Sequence, residues 1–141
     1  MEDSRKQAFL DKVKEEPFPR LLDIKLIEVS EGYALCEMVY TDTMDNLHGM
    51  AHGGAIFSLI DEAFEISSNS HGTIAMALNM NVTYVRAAAK GSLLRAESKE
   101  ISRSRRTATY HITVKDDHGL IAVCQALVYR KDEQIGFLKG E

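Results

Sequence analysis

Hydrophobic and polar positions change period several times along this chain, and each change predicts an element. Residues 4–14 follow a helical period, with Ala8, Phe9, Leu10 and Val13 on one side and Lys6, Lys12 and Lys14 on the other. Pro17 and Pro19 then break the chain. From Leu22 to Tyr40 the pattern turns to alternation, as two strands separated by the turn signal Glu31-Gly32. Tyr33, Leu35, Glu37 and Val39 alternate with Ala34, Cys36 and Met38, as in a half-buried strand. Residues 41–50 read as a loop. The long helical pattern of the body follows at Gly53–Ser70, with Gly72 placed to end it.

Four further runs are rich in β-branched residues and tyrosine: Ala75–Arg86, Leu93–Ile101, Thr107–Val114 and Leu120–Tyr129. Their separators, Ala89-Lys90-Gly91, Ser102-Arg103-Ser104-Arg105 and Asp116-Asp117-His118-Gly119, are short and predict antiparallel hairpins. Lys131–Glu141 is charged and is expected to fray. Two strands, one helix and a meander of about four strands predict an α+β fold, with a single antiparallel sheet of five to six strands wrapped around a central helix. The chain reads as one domain over residues 1–141, with a core at about 18–130.

Composition narrows the classes of function. Of the 141 residues, 45% are hydrophobic and 27% charged, the balance of a soluble globular protein. A net charge of −4 argues against general nucleic-acid binding, which needs a basic surface. The charged N-terminal residues lack the apolar core of a signal peptide, and no run reaches the ~18 apolar residues of a membrane span. Cys36 and Cys124 lie far apart in strand-like runs and read as buried free thiols in a reducing compartment. A cytoplasmic protein with no nucleic-acid or membrane partner is therefore expected. The five histidines are scattered, and the His48–His52 pair has no third ligand nearby, so no metal site is expected.

The central helix carries the candidate chemistry. Its first two turns are apolar almost all round, which predicts burial, yet Asp61 sits mid-helix between Phe57 at i−4 and Phe64 at i+3. A carboxylate there is costly unless it is paired, hydrogen-bonded or used. The plain alternative is a solvated stripe of Asp61, Glu62 and Glu65. At the helix start, Gly53 and Gly54 place no side chain over the first turn, so backbone N–H groups can face an anion or a developing oxyanion. His52 immediately before them is either a cap or a participant.

The run from Asn46 to Phe64, containing Asn46-Leu47-His48-Gly49, then His52-Gly53-Gly54, then Leu59-Ile60-Asp61, resembles the hotdog-fold thioesterases of the phenylacetate-degradation (PaaI-type) group. Asn69-Ser70-His71-Gly72, the stretch Tyr84-Val85-Arg86 to Gly91, and Gly119-Leu120-Ile121-Ala122 resemble further motifs of that group. Two departures are Ala87, where proline is common, and Ala77, where some relatives carry a water-holding serine; Asn79 or Thr83 are the substitutes at hand.

The resemblance implies a hotdog fold and hydrolysis of an acyl-CoA thioester, with no cofactor besides the coenzyme A of the substrate. It implies a homodimer whose sheets join edge to edge, often paired into a homotetramer. Gly53 of one subunit then gives its amide to the thioester oxygen, Asn46 and His52 orient the carbonyl or the loop, and Asp61 of the other subunit acts as general base or nucleophile. Glu62 and Glu65 are rival acids. Gly54 and Phe57 are candidate substrate contacts. Arg86, Arg103, Arg105 and Arg106 are candidate phosphate contacts, against the plain reading of solvated turns. Phe57, Phe64, Met44, Met50, Met76 and Met80 hint at an apolar acyl pocket, although such residues are more often core. The alternative function is a non-catalytic acyl-CoA-binding hotdog protein. A hotdog dehydratase would use a His with an acid in local patterns absent here.

Overall fold

The computed structural model describes residues 1–139. Helix α1 spans Asp3–Glu15 and the short α2 spans Pro17–Leu21. The prolines thus break the chain at Glu16, as their sequence implies, but also restart it. Pro17 occupies the first helical turn, where its missing N–H costs nothing. Strands β1 (Lys25–Ser30) and β2 (Tyr33–Val39) form a hairpin, and α3 runs from Gly53 to Asn69. The remaining strands are β3 (Thr73–Tyr84), β4 (Leu93–Arg103), β5 (Thr107–Asp116) and β6 (Gly119–Gln134). Among the described residues no helix is long and apolar enough to cross a membrane.

All six strands form one antiparallel sheet in the order β1-β2-β4-β5-β6-β3. Helix α3 packs across its inner face, which is the hotdog architecture. The period-2 pattern explains the packing. In β2 the alternate residues Ala34, Cys36 and Met38 are buried, and in β5 Ala108, Tyr110, Ile112 and Val114 are. Against them α3 sets Leu59, Ile60, Ala63, Phe64 and Ile66, with the Phe64 ring edge-on to Tyr110 at 5.6 Å. Cys36 and Cys124 are both buried and unpaired.

The end of α3 is pinned by its own polar residues. Ser70 Oγ accepts from the Gly32 N–H at 2.8 Å and donates to the Ser67 carbonyl. The Asn69 side chain bonds both the N–H and the C=O of Ala75, so the helix and β3 are tied at their junction. Gly72 between them has φ +87°, the left-handed geometry that glycine takes without strain.

Two expectations are corrected. The run predicted as Ala75–Arg86 does not make a hairpin with the next one. Strand β3 pairs only with β6, so residues 85–92 carry the chain from one sheet edge to the middle, beside β2. A short, turn-rich connector looks the same in sequence whether it closes a hairpin or crosses an edge. Secondly, the tail does not fray from residue 131. Strand β6 continues to Gln134, and Ile135 and Leu138 are buried, with Phe137 stacked 6.4 Å from Phe9 of α1. Apolar residues at 135, 137 and 138 outweigh the surrounding charges because α1 offers them a partner. Residues 140 and 141 lie outside the described part.

Leu138 is only 2% exposed, so Leu138→Ala is expected to cost about 2 kcal/mol or more in urea unfolding. A frayed tail would leave the midpoint unmoved.

Candidate active site

The start of α3 is built around one imidazole. His52 is the N-cap, and its Nδ1 accepts the Gly54 N–H at 2.8 Å. Its carbonyl accepts from Ala55 and Ile56. Of the first four amides of the helix, only that of Gly53 has no acceptor among the described residues. The candidate contact Gly54 is therefore occupied: its N–H satisfies the cap, and a Cβ there would stand 3.0 Å from His52 Nδ1. The open donor is Gly53, one of the pair, at the positive end of the helix dipole.

Gly53 is held from the other side by a residue that sequence reasoning did not single out. The Tyr84 hydroxyl, at the end of β3, donates to the Gly53 carbonyl at 3.1 Å, and a Cβ on Gly53 would lie 3.3 Å from the ring. The signal was present, because Tyr84 opens the Tyr84-Val85-Arg86 motif. The preceding loop is closed by Asn46, whose Oδ1 accepts from the N–H groups of His48 and Met50 at 2.8 and 3.0 Å. Asn46 and His52 thus shape the backbone that presents Gly53, and the Asn46 Nδ2 keeps its donors for another partner.

Asp61 lies two turns further along α3. It is half-buried and makes no hydrogen bond or ion pair among the described residues. Burial raises its pKa above the usual aspartate range. Of the expected solvated stripe, Glu65 is exposed and Asp61 half-buried, while Glu62 turns inward. Glu62 is only 8% exposed and, with Glu65 and Glu16 from the α1–α2 junction, brings three carboxylates within 4.8 Å of one another. Burial first, and then their mutual charge and that of Asp61, lift Glu16 and Glu62 to about 7 and Glu65 to about 8. Among the described residues these three are the one grouping of metal-type ligands, an all-oxygen set of the kind that hard cations accept.

The candidate phosphate contacts separate to opposite ends of the helix. Arg86, near Gly53 and Tyr84, is bound to Asp116 at 2.5 Å. Arg103 donates to His71 Nδ1 at 2.7 Å beside the end of α3, and Arg105 is held by Asp132. Arg106 meets the Tyr129 hydroxyl and has no carboxylate in ion-pair range among the described residues. Of the apolar candidates, Phe64 and Met44 are core and Met50 and Met76 are exposed, while Phe57 stands half-buried one turn before Asp61.

The family model of the thioesterase superfamily matches residues 48–123, which hold the His52 cap, the Gly53 amide and Asp61. The chain belongs to the thioesterase superfamily. Within it the chain falls in the hotdog-fold PaaI-type group, and it is a thioester hydrolase by class. It is 40% identical over 136 residues to an Archaeoglobus fulgidus protein named "Putative esterase", covering 92% of this chain and 88% of that one. It is 34% identical over 95 residues to the acyl-coenzyme A thioesterase PaaI of Escherichia coli K12, covering 67% and 68%. The solved E. coli PaaI structure superposes with a TM-score of 0.87 at 27% identity, over 93% of this chain and 96% of that one.

The acid cluster of this thioesterase has a thermodynamic consequence. The folded chain keeps protons on Glu16, Glu62 and Glu65 that the unfolded chain, with ordinary values near 4.5, has already released. Stability therefore falls as pH rises from about 4.5 to about 8. Glu62→Gln is expected to stabilise the protein at pH 8.5 by roughly 1 kcal/mol after solvent screening, with the gain vanishing near pH 4.5. Melting temperatures of both forms across that range check the sign.

Proposed function

We propose that this protein is a cytoplasmic acyl-CoA thioesterase whose site joins the Gly53 amide of one subunit to Asp61 of the partner subunit. The observation that carries the reading is the pair of unspent groups on α3. Among the described residues one backbone donor lacks an acceptor, and one half-buried carboxylate lacks a donor. The similarity to the E. coli acyl-coenzyme A thioesterase supplies the substrate class. Two buried, unpaired thiols suit a reducing compartment.

The chemistry follows from those groups. As the thioester carbonyl becomes tetrahedral, its oxygen gains negative charge, and an amide at a helix N-terminus is already oriented for it. Asp61 takes a proton from the attacking water, or attacks the carbonyl carbon itself. The C–S bond then breaks and coenzyme A leaves as a thiolate, which needs little acid help; where Asp61 itself has attacked, water then cleaves the acyl–aspartyl anhydride, releasing the acid and restoring the carboxylate. A carboxylate with a raised pKa is a stronger base than an exposed one. The reaction uses no cofactor beyond the coenzyme A of the substrate.

The two groups are two turns apart on one helix, so a second subunit is the natural means of facing one with the other. Strand β3 offers the surface. Its outer edge is unpaired, it carries no charged residue from Thr73 to Tyr84, and Met76 and Leu78 are 52% and 59% exposed. Such an edge pairs with another strand unless blocked. A two-fold, antiparallel pairing of β3 with its copy sets opposite ends of the two helices together. It brings the hairpin bearing Arg103, Arg105 and Arg106 of the partner toward the end that carries Gly53 and Arg86. Arg106, free of carboxylates, is the strongest of these phosphate candidates. Dimers of this kind pairing again make the homotetramer.

Release of free thiol from acyl-CoA is the test. Asp61→Asn is expected to lose at least about 10²-fold in kcat. Gly53→Pro removes the N–H at the first helical position and is expected to lose about 10²–10³-fold; its ring must displace Tyr84, so Gly53→Ala, which keeps the N–H and meets the same ring at 3.3 Å, is assayed beside it and is expected to lose less. Acyl-CoA binding without thiol release by the native protein would select the non-catalytic reading. Full activity in Asp61→Asn with loss in Glu65→Gln would move the role to the neighbouring acid.

A further inference from the structure

Beneath α1 lies a cavity of about 580 Å³ that the reading above leaves without a role. Its walls are Phe9 and Val13 of α1, Ile66 of α3, Ala75 of β3, and Ile135 and Phe137 of the tail. The size is in the range of small-molecule sites. Neither Gly53 nor Asp61 lines it, but Glu65 does. Glu65 is four residues beyond Asp61 on the same helical face, a rise of about 6 Å, and the Asp61 charge acts on it directly. The lining thus comes within one turn of Asp61, the carboxylate proposed to act on the thioester.

Charge decides which half of the substrate fits. Glu15, Glu16 and Glu65 stand around the opening, with Lys12 as the single cation of the lining. Coenzyme A carries phosphates, and an acidic, largely apolar hole repels them. An uncharged acyl group meets no such penalty. An acyl group ending in a second carboxylate would meet acids on arrival.

We propose that this cavity receives the acyl group of the thioester, that its ligand class is uncharged apolar acyl chains longer than acetyl, and that α1 with the tail sets the length accepted. The proposal rests on the thioesterase reading and on Asp61 as its acid. Val13 and Phe137 are the length-setting residues. Val13 is half-buried on α1, and Phe137 is 40% exposed, so both tolerate substitution better than the buried Phe9.

The test measures kcat/KM for acetyl-, hexanoyl-, octanoyl- and glutaryl-CoA in the native protein, Val13→Trp and Phe137→Ala. Native protein is expected to prefer octanoyl to glutaryl. Val13→Trp, which narrows the cavity from its α1 wall, is expected to lower the octanoyl-to-acetyl ratio at least about tenfold. Phe137→Ala is expected to move the preference to longer chains. Ratios that stay fixed in both variants, with hydrolysis intact, overturn the cavity assignment and spare the enzyme. A native protein that hydrolyses none of the four overturns the thioesterase reading instead. The cavity is then read by calorimetry with the non-hydrolysable thioether analogue of octanoyl-CoA. Weaker binding by Val13→Trp, at least about tenfold, supports it, and equal affinities refute it.

Discussion

The structure turns on the burial of α3 against one face of a six-stranded sheet while a second face holds a carboxylate half out of water with no partner among the described residues. Everything apolar on the helix serves the first demand: Leu59, Ile60, Ala63 and Phe64 meet the inner residues of β2, β4 and β5. Asp61 meets the second. A desolvated acid with no hydrogen bond raises the energy of its charged form, and the fold tolerates this because the sheet side of the helix is so completely packed. The same tension runs along the helix to Glu62 and Glu65, where Glu16 arrives from the α1–α2 junction and sets three carboxylates within 4.8 Å of one another.

The opposite tension governs the helix start. His52 satisfies Gly54 and, through its carbonyl, Ala55 and Ile56, and stops one amide short. Asn46 spends its oxygen on the loop, and Tyr84 spends its hydroxyl on the Gly53 carbonyl, so the remaining N–H is held rigidly by bonds that do not consume it. Preorganisation of this kind is what makes a single backbone donor effective on a developing oxyanion.

Much of this was legible in the residues. The period of 3.6 over Gly53–Ser70 located the helix, alternation located the strands, and the cost of a mid-helix acid pointed to Asp61. Partners distant in sequence were not legible. Glu16 gives no sign that it will reach Glu62 and Glu65, and Gly53-Gly54 does not say which amide the imidazole takes. The crossing of β3 to the far edge was hidden because connector length alone does not distinguish a hairpin from a crossover. The docking of Ile135, Phe137 and Leu138 was hidden because flanking charge masked their apolar spacing. The position of Tyr84 against Gly53 joins two motifs 31 residues apart, which only the fold brings together.

In the proposed site the amide and the acid belong to different subunits. Subunit complementation measures this most directly. Gly53→Pro and Asp61→Asn proteins, each inactive alone, are unfolded together, refolded and assayed. A shared site predicts that the mixed dimer regains one complete site of its two, so that activity returns to roughly a quarter of native for random dimer pairing. A mixture as inactive as its parents would contradict it and would place both groups within a single chain.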